Sequence, residues 1–205
     1  MKLNDKGLLV VISGPSGVGK GTVRKALFDM PNHNLTYSIS MTTRKIRPGE
    51  VDGKDYYFIS KEEFEDKINK GEFLEHAEFV GNYYGTPLDK VNEKLDEGQE
   101  VVLEIEVMGA LQVKEKMPDC VMIFLVPPSK EDLYHRLKAR GTEPEEIIQE
   151  RIEKANREFK VAYKYDYIVV NDEVNNAADR IMAIIRAEHA KTSRSIHKYL
   201  ELIGE

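Results

Sequence analysis

The clearest candidate for chemistry in the sequence is a glycine-rich segment, GPSGVGKGT, at residues 14–22. It follows an apolar run and precedes a stretch of helical composition, which is the context of a phosphate-binding loop. Glycines allow backbone N–H groups to face one anion, the helix N-terminus adds its dipole, and Lys20 supplies a mobile positive charge. The predicted loop residues are Gly14, Pro15, Ser16, Gly17, Val18, Gly19, Lys20, Gly21 and Thr22.

The end of this segment departs from the usual phosphate-loop pattern, in which serine or threonine directly follows the lysine. Here Gly21 intervenes before Thr22, which leaves open whether a hydroxyl group coordinates Mg²⁺ directly. A glycine-rich turn before an ordinary helix is the alternative, but it explains neither Lys20 nor the preceding apolar run. We therefore favour the phosphate loop.

A second set of candidates lies at residues 38–57, SISMTTRKIRPGEVDGKDYY. Arg44 and Arg47 could bind a second phosphate, because the N–H fork of a guanidinium matches phosphate oxygens, and Tyr56 could donate its phenol hydroxyl. The same residues are also typical of a solvated loop with incidental charge. The segment alone leaves both interpretations open.

A third set lies at residues 72–86, EFLEHAEFVGNYYGT. A carboxylate that accepts two hydrogen bonds, such as that of Glu75, matches the neighbouring N–H donors on the Watson–Crick edge of guanine. The hydroxyls of Ser40 and Thr86 could serve a base carbonyl, and Tyr84 could serve a phosphate. An amphipathic strand with outward-facing glutamates is the alternative, and spacing alone does not separate Glu75 from its acidic neighbours.

Two further acids, Glu104 and Glu106, are predicted to end an apolar strand on one face, since they are two residues apart. At the carboxyl end of a parallel strand, acids can contact substrate or hold Mg²⁺ through water. An exposed strand end is the alternative for Glu106.

Short apolar runs alternating with helical stretches must position these residues, and they predict a parallel sheet covered by helices on both faces. The predicted strands are residues 8–13, 100–106, 120–126 and 167–170. The predicted helices are residues 22–30, 107–117, 130–140, 144–163 and 175–200.

Two segments differ from this α/β frame. Residues 38–98 contain polar, aromatic strands and short helices near 62–69 and 88–97, which predicts an inserted α+β lobe. Residues 136–157 carry several arginines and are interrupted by Gly141 and Pro144, which suits a hinged flap. A solvated helix with mixed charges is the alternative for the second segment.

Composition narrows the class of protein. The 205 residues are 41% hydrophobic and 32% charged, which is typical of a globular domain. A net charge of −6 disfavours binding to a nucleic-acid backbone. One cysteine excludes an internal disulfide, and we see neither a signal peptide nor an apolar run long enough for a membrane span. We therefore expect a soluble cytoplasmic protein that binds neither nucleic acid nor membrane.

Taken together, the sequence strongly resembles the guanylate kinase family over about residues 7–186. The matching blocks are ISGPSGVGKGT, YSISMTTRKIRPGEVDGKDYYF, EFLEHAEFVGNYYGTP, VVLEIEVMGALQV, LYHRLKARG, IIQERIEKANRE and YDYIVVND. The resemblance implies an α/β fold like that of P-loop nucleoside monophosphate kinases, with an inserted GMP-binding lobe and a helical lid. It implies a core at residues 1–37 and 99–205, a GMP-binding lobe at 38–98 and a lid segment at 136–157.

The resemblance also implies a reaction, in which the γ-phosphoryl group of ATP passes in line to GMP with Mg²⁺ present. In the family this reaction belongs to purine nucleotide metabolism and GMP recycling. The loop residues and Asn171 would bind ATP, and Glu106 would hold Mg²⁺ through water. The implied catalytic residues are Lys20, Arg44, Arg136, Arg140 and Arg151. The implied GMP-binding residues are Ser40, Arg44, Arg47, Tyr56, Glu75, Tyr84, Thr86 and Glu104.

Other functions remain as alternatives. A guanylate-kinase-like binding module would keep the fold for protein recognition, but such modules usually have a degraded phosphate loop and neighbouring interaction domains. A kinase for AMP or dTMP is disfavoured by Glu75, because adenine has no N1–H to donate to a carboxylate. An ATP-hydrolysing P-loop protein fits the small inserted lobe less well. The oligomeric state, including a homo-oligomer, stays open.

Overall fold

The computed structural model describes residues 6–139 and 144–200, apart from the side chain of Lys198. The strands are β1 (Leu9–Ser13), β2 (Leu35–Tyr37), β3 (Met41–Thr42), β4 (Tyr57–Phe58), β5 (Phe73–Phe79), β6 (Asn82–Pro87), β7 (Glu100–Glu104), β8 (Val121–Val126) and β9 (Tyr167–Val170). The helices are α1 (Lys20–Phe28), α2 (Lys61–Asn69), α3 (Leu88–Asp96), α4 (Val107–Lys116), α5 (Lys130–Ala139), α6 (Glu145–Phe159), α7 (Val174–Ala190) and α8 (Thr192–Ser195).

A five-stranded sheet with the order β2-β7-β1-β8-β9 forms the α/β part of the chain. The β2–β7 and β8–β9 pairs are parallel, and β1 is buried along its whole length, as expected of a strand covered on both faces. The predicted α/β class with a parallel sheet is thus confirmed. Strand β2 was not predicted, because its three half-buried residues show neither an apolar run nor an alternation.

The chain divides into two compact units, of which one comprises residues 1–11 and 34–120. This unit contains a four-stranded sheet with the order β4-β3-β6-β5. A two-residue turn joins β5 to β6, and both turn residues, Val80 and Gly81, have positive φ. Beneath the sheet, the ring of Phe64 stacks on those of Phe73 and Tyr83, with centroids 4.3 and 5.4 Å away. These stacked rings support the strands that carry the candidate base-reading residues.

The other unit comprises residues 12–33 and 121–205. In it α1 packs on α7, while α5 and α6 share an apolar cluster. The buried members of this cluster are Leu133, Leu137, Ile148 and Ala155. Within the described residues, no helix combines the length and apolar character that a membrane crossing requires.

The last predicted helix is shorter than expected. Helix α7 ends at Ala190, and a separate short helix, α8, begins at Thr192 because the backbone of Lys191 leaves the helical region. The buried carboxylate of Glu188 accepts hydrogen bonds from Tyr167 Oη at 2.5 Å and Arg194 Nε at 3.0 Å. These contacts tie α8 back onto α7 and β9. Helix α6 likewise ends at Phe159 rather than at residue 163.

Candidate active site

The glycine-rich segment connects β1 to α1, as the sequence predicts. Gly14 has a φ of 148°, and a Cβ there would lie 2.3 Å from the carbonyl oxygen of Leu125. Gly17 has a φ of 85°, and a Cβ there would lie 2.6 Å from Leu137 Cδ2. Gly14 therefore requires glycine on grounds of backbone conformation and of space, because the close atom belongs to the backbone, whereas Gly17 requires it for its backbone conformation. The loop is consequently packed closely against β8 and α5.

Lys20 begins α1, and its ammonium group folds back over the loop. Its Nζ donates to the carbonyl oxygens of Gly14 and Pro15 at 2.6 and 3.2 Å. Gly19 precedes the helix and has no side chain to cap it, and the first turn of α1 carries no acidic residue. The helix N-terminus therefore directs its N–H groups and positive dipole end toward the loop, where an anion would be stabilised.

Arg136 and Asn171 hold the loop through its backbone. The carbonyl oxygen of Val18 accepts hydrogen bonds from Asn171 Nδ2 at 2.7 Å and Arg136 Nη1 at 3.2 Å. Arg136 Nη2 also donates to the carbonyl oxygen of Asn171 at 2.8 Å. Asn171 is only 2% exposed, and its Oδ1 accepts no hydrogen bond from the described residues. Arg136, predicted as a catalytic arginine, and Asn171, predicted to bind ATP, thus both contact the backbone of the glycine-rich loop.

The remaining predicted residues of this unit lie in different places. Arg151 is half-buried on α6. Arg140 falls at 140–143, outside the described residues. Thr22 is exposed and lines an open cavity of about 390 Å³ between α1 and α7, on the same face of α1 as Lys25.

In the other unit, the register of three strands aligns the predicted base-reading residues. Glu75 on β5 is paired directly with Thr86 on β6. Met41 is paired with Gly85, so that Ser40, just before β3, lies opposite Thr86. Directly opposed residues of antiparallel strands share a face of the sheet. Glu75, Thr86 and Ser40 therefore form a row across one face.

The same face carries the two predicted tyrosines. Tyr84 is two residues before Thr86 on β6 and therefore shares its face. Strands β3 and β4 pair Met41 with Tyr57, so the preceding residues, Ser40 and Tyr56, lie beside each other. The rings of Tyr56 and Tyr84 meet edge to face, with centroids 6.0 Å apart. Candidate base-binding and phosphate-binding groups are thus gathered on one sheet face.

The carboxylate of Glu75 is buried, with 7% of the residue exposed. Its Oε1 accepts a hydrogen bond from Thr86 Oγ1 at 2.6 Å. Burial raises the pKa of Glu75 above its ordinary value, although the Thr86 hydrogen bonds and the charge of Lys116 oppose the increase. The site therefore favours a ligand that donates hydrogen bonds to this carboxylate and so compensates its burial.

Arg44 is held by an acid that the sequence analysis missed. Its Nη1 and Nη2 donate to Glu50 Oε2 and Oε1 at 3.0 and 2.7 Å, and its guanidinium lies 5.4 Å from the ring centroid of Tyr56. The hydrogen bond from Arg44, with one from the backbone N–H of Arg47, lowers the pKa of Glu50. The side chain of Arg47 is exposed. Signals for this ion pair were the spacing and opposite charges of these residues within TTRKIRPGE.

The structure corrects the placement of one of the two further acids. Glu104 lies on β7, as predicted, but it is the last residue of that strand and is half-buried. Glu106 is not on the strand, because the strand ends at Glu104 and α4 begins at Val107. It is exposed at the start of α4 and shares no strand face with Glu104.

The described residues offer no cluster of side chains that would hold a metal ion by themselves. No group of three or more His, Cys, Asp or Glu side chains able to hold a metal occurs in residues 6–139 and 144–200. Mg²⁺ is commonly bound by substrate phosphates, water and one or two carboxylates rather than by an all-protein cage. The glycine-rich loop is compatible with that mode, since the first turn of α1 carries no acidic residue.

Comparisons with known proteins identify the family and the fold of the chain. The family model described as guanylate kinase matches residues 6–188. The chain is 66% identical over 206 residues to a guanylate kinase of Aster yellows witches'-broom phytoplasma, covering 100% of this chain and 98% of the relative. It is 58% identical over 203 residues to one of Lactococcus lactis, covering 99% and 98%. The crystal structure of guanylate kinase from Anaplasma phagocytophilum is similar, with a TM-score of 0.74 and 38% identity over 96% of this chain and 95% of that one.

Proposed function

Because the chain belongs to the guanylate kinase family, we propose that it transfers the γ-phosphoryl group of ATP to GMP, giving ADP and GDP. The observation that carries the choice of acceptor is the row formed by Glu75, Thr86 and Ser40 across one sheet face. The phosphate loop supports ATP as the donor. The same activity places the protein in purine nucleotide metabolism, and we propose a cytoplasmic location.

The guanine base would bind to this row. An ionised Glu75 accepts hydrogen bonds from the N1–H and the 2-amino group of guanine, whereas Thr86 and Ser40 serve the O6 carbonyl. Adenine offers no N1–H at the corresponding position, so that the buried carboxylate would stay uncompensated. Glu104 at the end of β7 would contact GMP beside the base.

The phosphate of GMP would bind to Arg44, Arg47, Tyr56 and Tyr84. Arg44 is already held in place by Glu50, so little side-chain entropy is lost when an anion binds. Tyr56 and Tyr84 add phenol hydroxyls on the same face. This arrangement neutralises the acceptor phosphate without a dedicated metal site.

The phosphates of ATP would bind in the loop formed by residues 14–22. Lys20 would exchange its contacts with the Gly14 and Pro15 carbonyls for contacts with phosphate oxygens. Asn171 would contribute to the adenine site through its unengaged Oδ1. Glu106 would hold Mg²⁺ through water, and the ion would supply positive charge that neutralises the phosphates.

The chemical step needs alignment and charge neutralisation more than it needs a base. The attacking oxygen belongs to the GMP phosphate, which is already ionised, so direct in-line transfer proceeds without a covalent enzyme intermediate. Lys20, Arg44, Arg136, Arg140 and Arg151 are the residues that we propose to neutralise the phosphoryl oxygens. Residues 136–157 would act as the lid that keeps water from the ATP γ-phosphorus.

The direct test is ADP release from ATP and Mg²⁺ with GMP, AMP, dTMP, CMP or no acceptor. We expect turnover with GMP to exceed turnover with the other acceptors by several orders of magnitude. Stronger turnover with another monophosphate would keep a kinase but overturn the role of Glu75 in reading guanine. Folded protein that turns over with none of these acceptors would contradict the proposed activity and favour the binding-module alternative.

A further inference from the structure

Strand β5, which carries Glu75, lies at the edge of the four-stranded sheet. One side of β5 is paired with β6, so its other edge needs different partners. Helix α4 supplies them through side chains. Gln112 Oε1 accepts a hydrogen bond from the backbone N–H of His76, and Gln112 Nε2 donates to the carbonyl oxygen of His76, both at 3.1 Å. One side-chain amide thus reproduces the paired bonds that a neighbouring strand would make.

Another hydrogen bond from a side chain of α4 to the backbone of β5 holds the beginning of that strand. Lys116 Nζ donates to the carbonyl oxygen of Phe73 at 2.6 Å. Gln112 and Lys116 are four residues apart and therefore lie on one face of α4. Phe73 and His76 flank Glu75, so the helix holds the strand on both sides of the candidate base-reading residue.

The same face of α4 continues to Gly109, one turn before Gln112. Gly109 is buried, and a Cβ built there would lie 2.7 Å from Glu75 Oε2. Its backbone is helical, so the position does not need glycine for conformational reasons, and alanine would favour the helix. The space that a side chain would take is occupied by the Glu75 carboxylate.

Glu75 is therefore fixed from two directions. Its Oε1 receives the Thr86 hydroxyl from the neighbouring strand, and its Oε2 lies against the bare backbone of α4 at Gly109. We propose that Gly109 and Gln112 are positioning residues for guanine recognition: Gly109 admits the Glu75 carboxylate to its working position, and Gln112 fixes the register of the strand that carries it. This inference rests on the proposed role of Glu75 as the group that reads guanine.

The test is the steady-state kinetics of Gly109→Ala with GMP and with IMP, which lacks the 2-amino group. An added methyl group must displace the carboxylate, and misplacement by about 1 Å can cost on the order of 10²-fold in rate. We expect kcat/KM for GMP to fall by about that factor, mainly through KM, and kcat/KM for IMP to fall less. The KM for ATP should stay within about twofold of the wild-type value, because the loop residues are untouched.

If Gly109→Ala does not fold, a second variant, Gln112→Leu, tests the same inference. Gln112→Leu retains the volume but loses both bonds to His76, and we expect the same GMP-selective change, smaller in size. Met108→Ala is the matched control, since it changes an exposed residue of the same helix and should leave both KM values unchanged. In a Glu75→Ala background, Gly109→Ala should add no further loss for GMP.

The outcomes separate this inference from the proposed function. Wild-type protein without GMP turnover would contradict the function itself. Active wild-type protein with a Glu75-dependent KM for GMP, but unchanged GMP and IMP kinetics in Gly109→Ala and Gln112→Leu, would overturn the positioning role alone. Equal increases in the KM for GMP and for ATP, together with a lower Tm, would also overturn it, because they would indicate general destabilisation.

Discussion

The two candidate nucleotide sites differ in the groups that form them: backbone groups in one and side chains in the other. The phosphate loop uses backbone N–H groups, glycine conformations and one helix N-terminus, all supplied by a continuous segment of chain. The base-reading face uses side chains from three strands, aligned by register and supported by a helix. A phosphate can be recognised by backbone alone, whereas a particular base requires donors and acceptors in a fixed two-dimensional pattern.

The largest expected effect comes from removing the lysine charge of the backbone-built site. We expect Lys20→Ala to lower kcat by about a thousandfold, because the developing charge on the transferred phosphoryl group loses its mobile cation. The measurement is steady-state ADP release, with circular dichroism to verify the fold. Lys25→Ala on the exposed part of the same helix is the control, and near-normal turnover of Lys20→Ala would remove Lys20 from the mechanism.

The second largest effect is expected at Glu75, and it should change the KM for GMP without changing the KM for ATP. Glu75→Gln replaces an acceptor-only group by an amide that presents a donor to guanine, so we expect the KM for GMP to rise by about 10²-fold. The KM for ATP should change little, because the loop does not depend on this side chain. Michaelis constants for both substrates provide the measurement. If neither constant moves, another acid must read the base.

A smaller effect is expected at the ion pair that holds Arg44. Glu50→Gln cannot accept the two Arg44 bonds and the Arg47 backbone N–H equally well, so the guanidinium loses its fixed orientation. We expect the KM for GMP to rise about threefold to tenfold, in keeping with the modest energies of partly exposed ion pairs. Glu62→Gln is a control at an exposed acid of the same unit. A lower KM for GMP in Glu50→Gln would mean that Glu50 competes with the phosphate rather than orienting Arg44.

The smallest expected effect concerns stability rather than catalysis. Burial raises the pKa of Glu75, so the folded protein binds more protons than the unfolded chain between the ordinary glutamate pKa and the raised value. Stability therefore falls as pH rises through this window, and the ionised carboxylate lowers stability at neutral pH. We expect Glu75→Gln to raise Tm by about 2–4 °C at pH 7.

Thermal unfolding across pH tests this linkage. The difference in Tm between Glu75→Gln and the wild type should shrink as pH falls below the ordinary glutamate pKa, where the wild-type carboxyl is protonated in both states. A difference that does not depend on pH would assign the stabilisation to packing instead of charge.

The sequence predicts the glycine-rich loop better than it predicts the base-reading face. The loop, β1 and α1 were predictable because glycines, lysine and apolar run are neighbours in the chain. The resemblance named Glu75, Thr86 and Ser40, but their spacing did not show that they form a row, which depends on pairing among three strands. Gly109 was missed because it acts through a long-range contact that no local pattern encodes. Glu50 was missed although its opposite charge and its spacing from Arg44 were a local signal.

Element ends were the other limit of prediction. An apolar run followed by alternating acids does not reveal where pairing stops, so Glu106 was placed on a strand that ends at Glu104. The prediction of a single helix over residues 175–200 was wrong, because the chain leaves the helical conformation at Lys191. This turn brings Arg194 back to the buried Glu188 carboxylate, which also accepts a hydrogen bond from Tyr167. In both cases tertiary contacts decided a boundary that helix and strand propensity left undetermined.

The two hydrogen bonds to the Val18 carbonyl oxygen bear on how the loop would bind an anion. The hydrogen bonds from Asn171 and Arg136 oppose rotation of this oxygen toward the phosphate site that we propose, where its partial negative charge would repel phosphate oxygens. These two residues therefore hold the peptide plane between Val18 and Gly19 in one orientation. A single flipped peptide would place a repulsive dipole in the loop, and the two hydrogen bonds make that flip unfavourable before any nucleotide arrives.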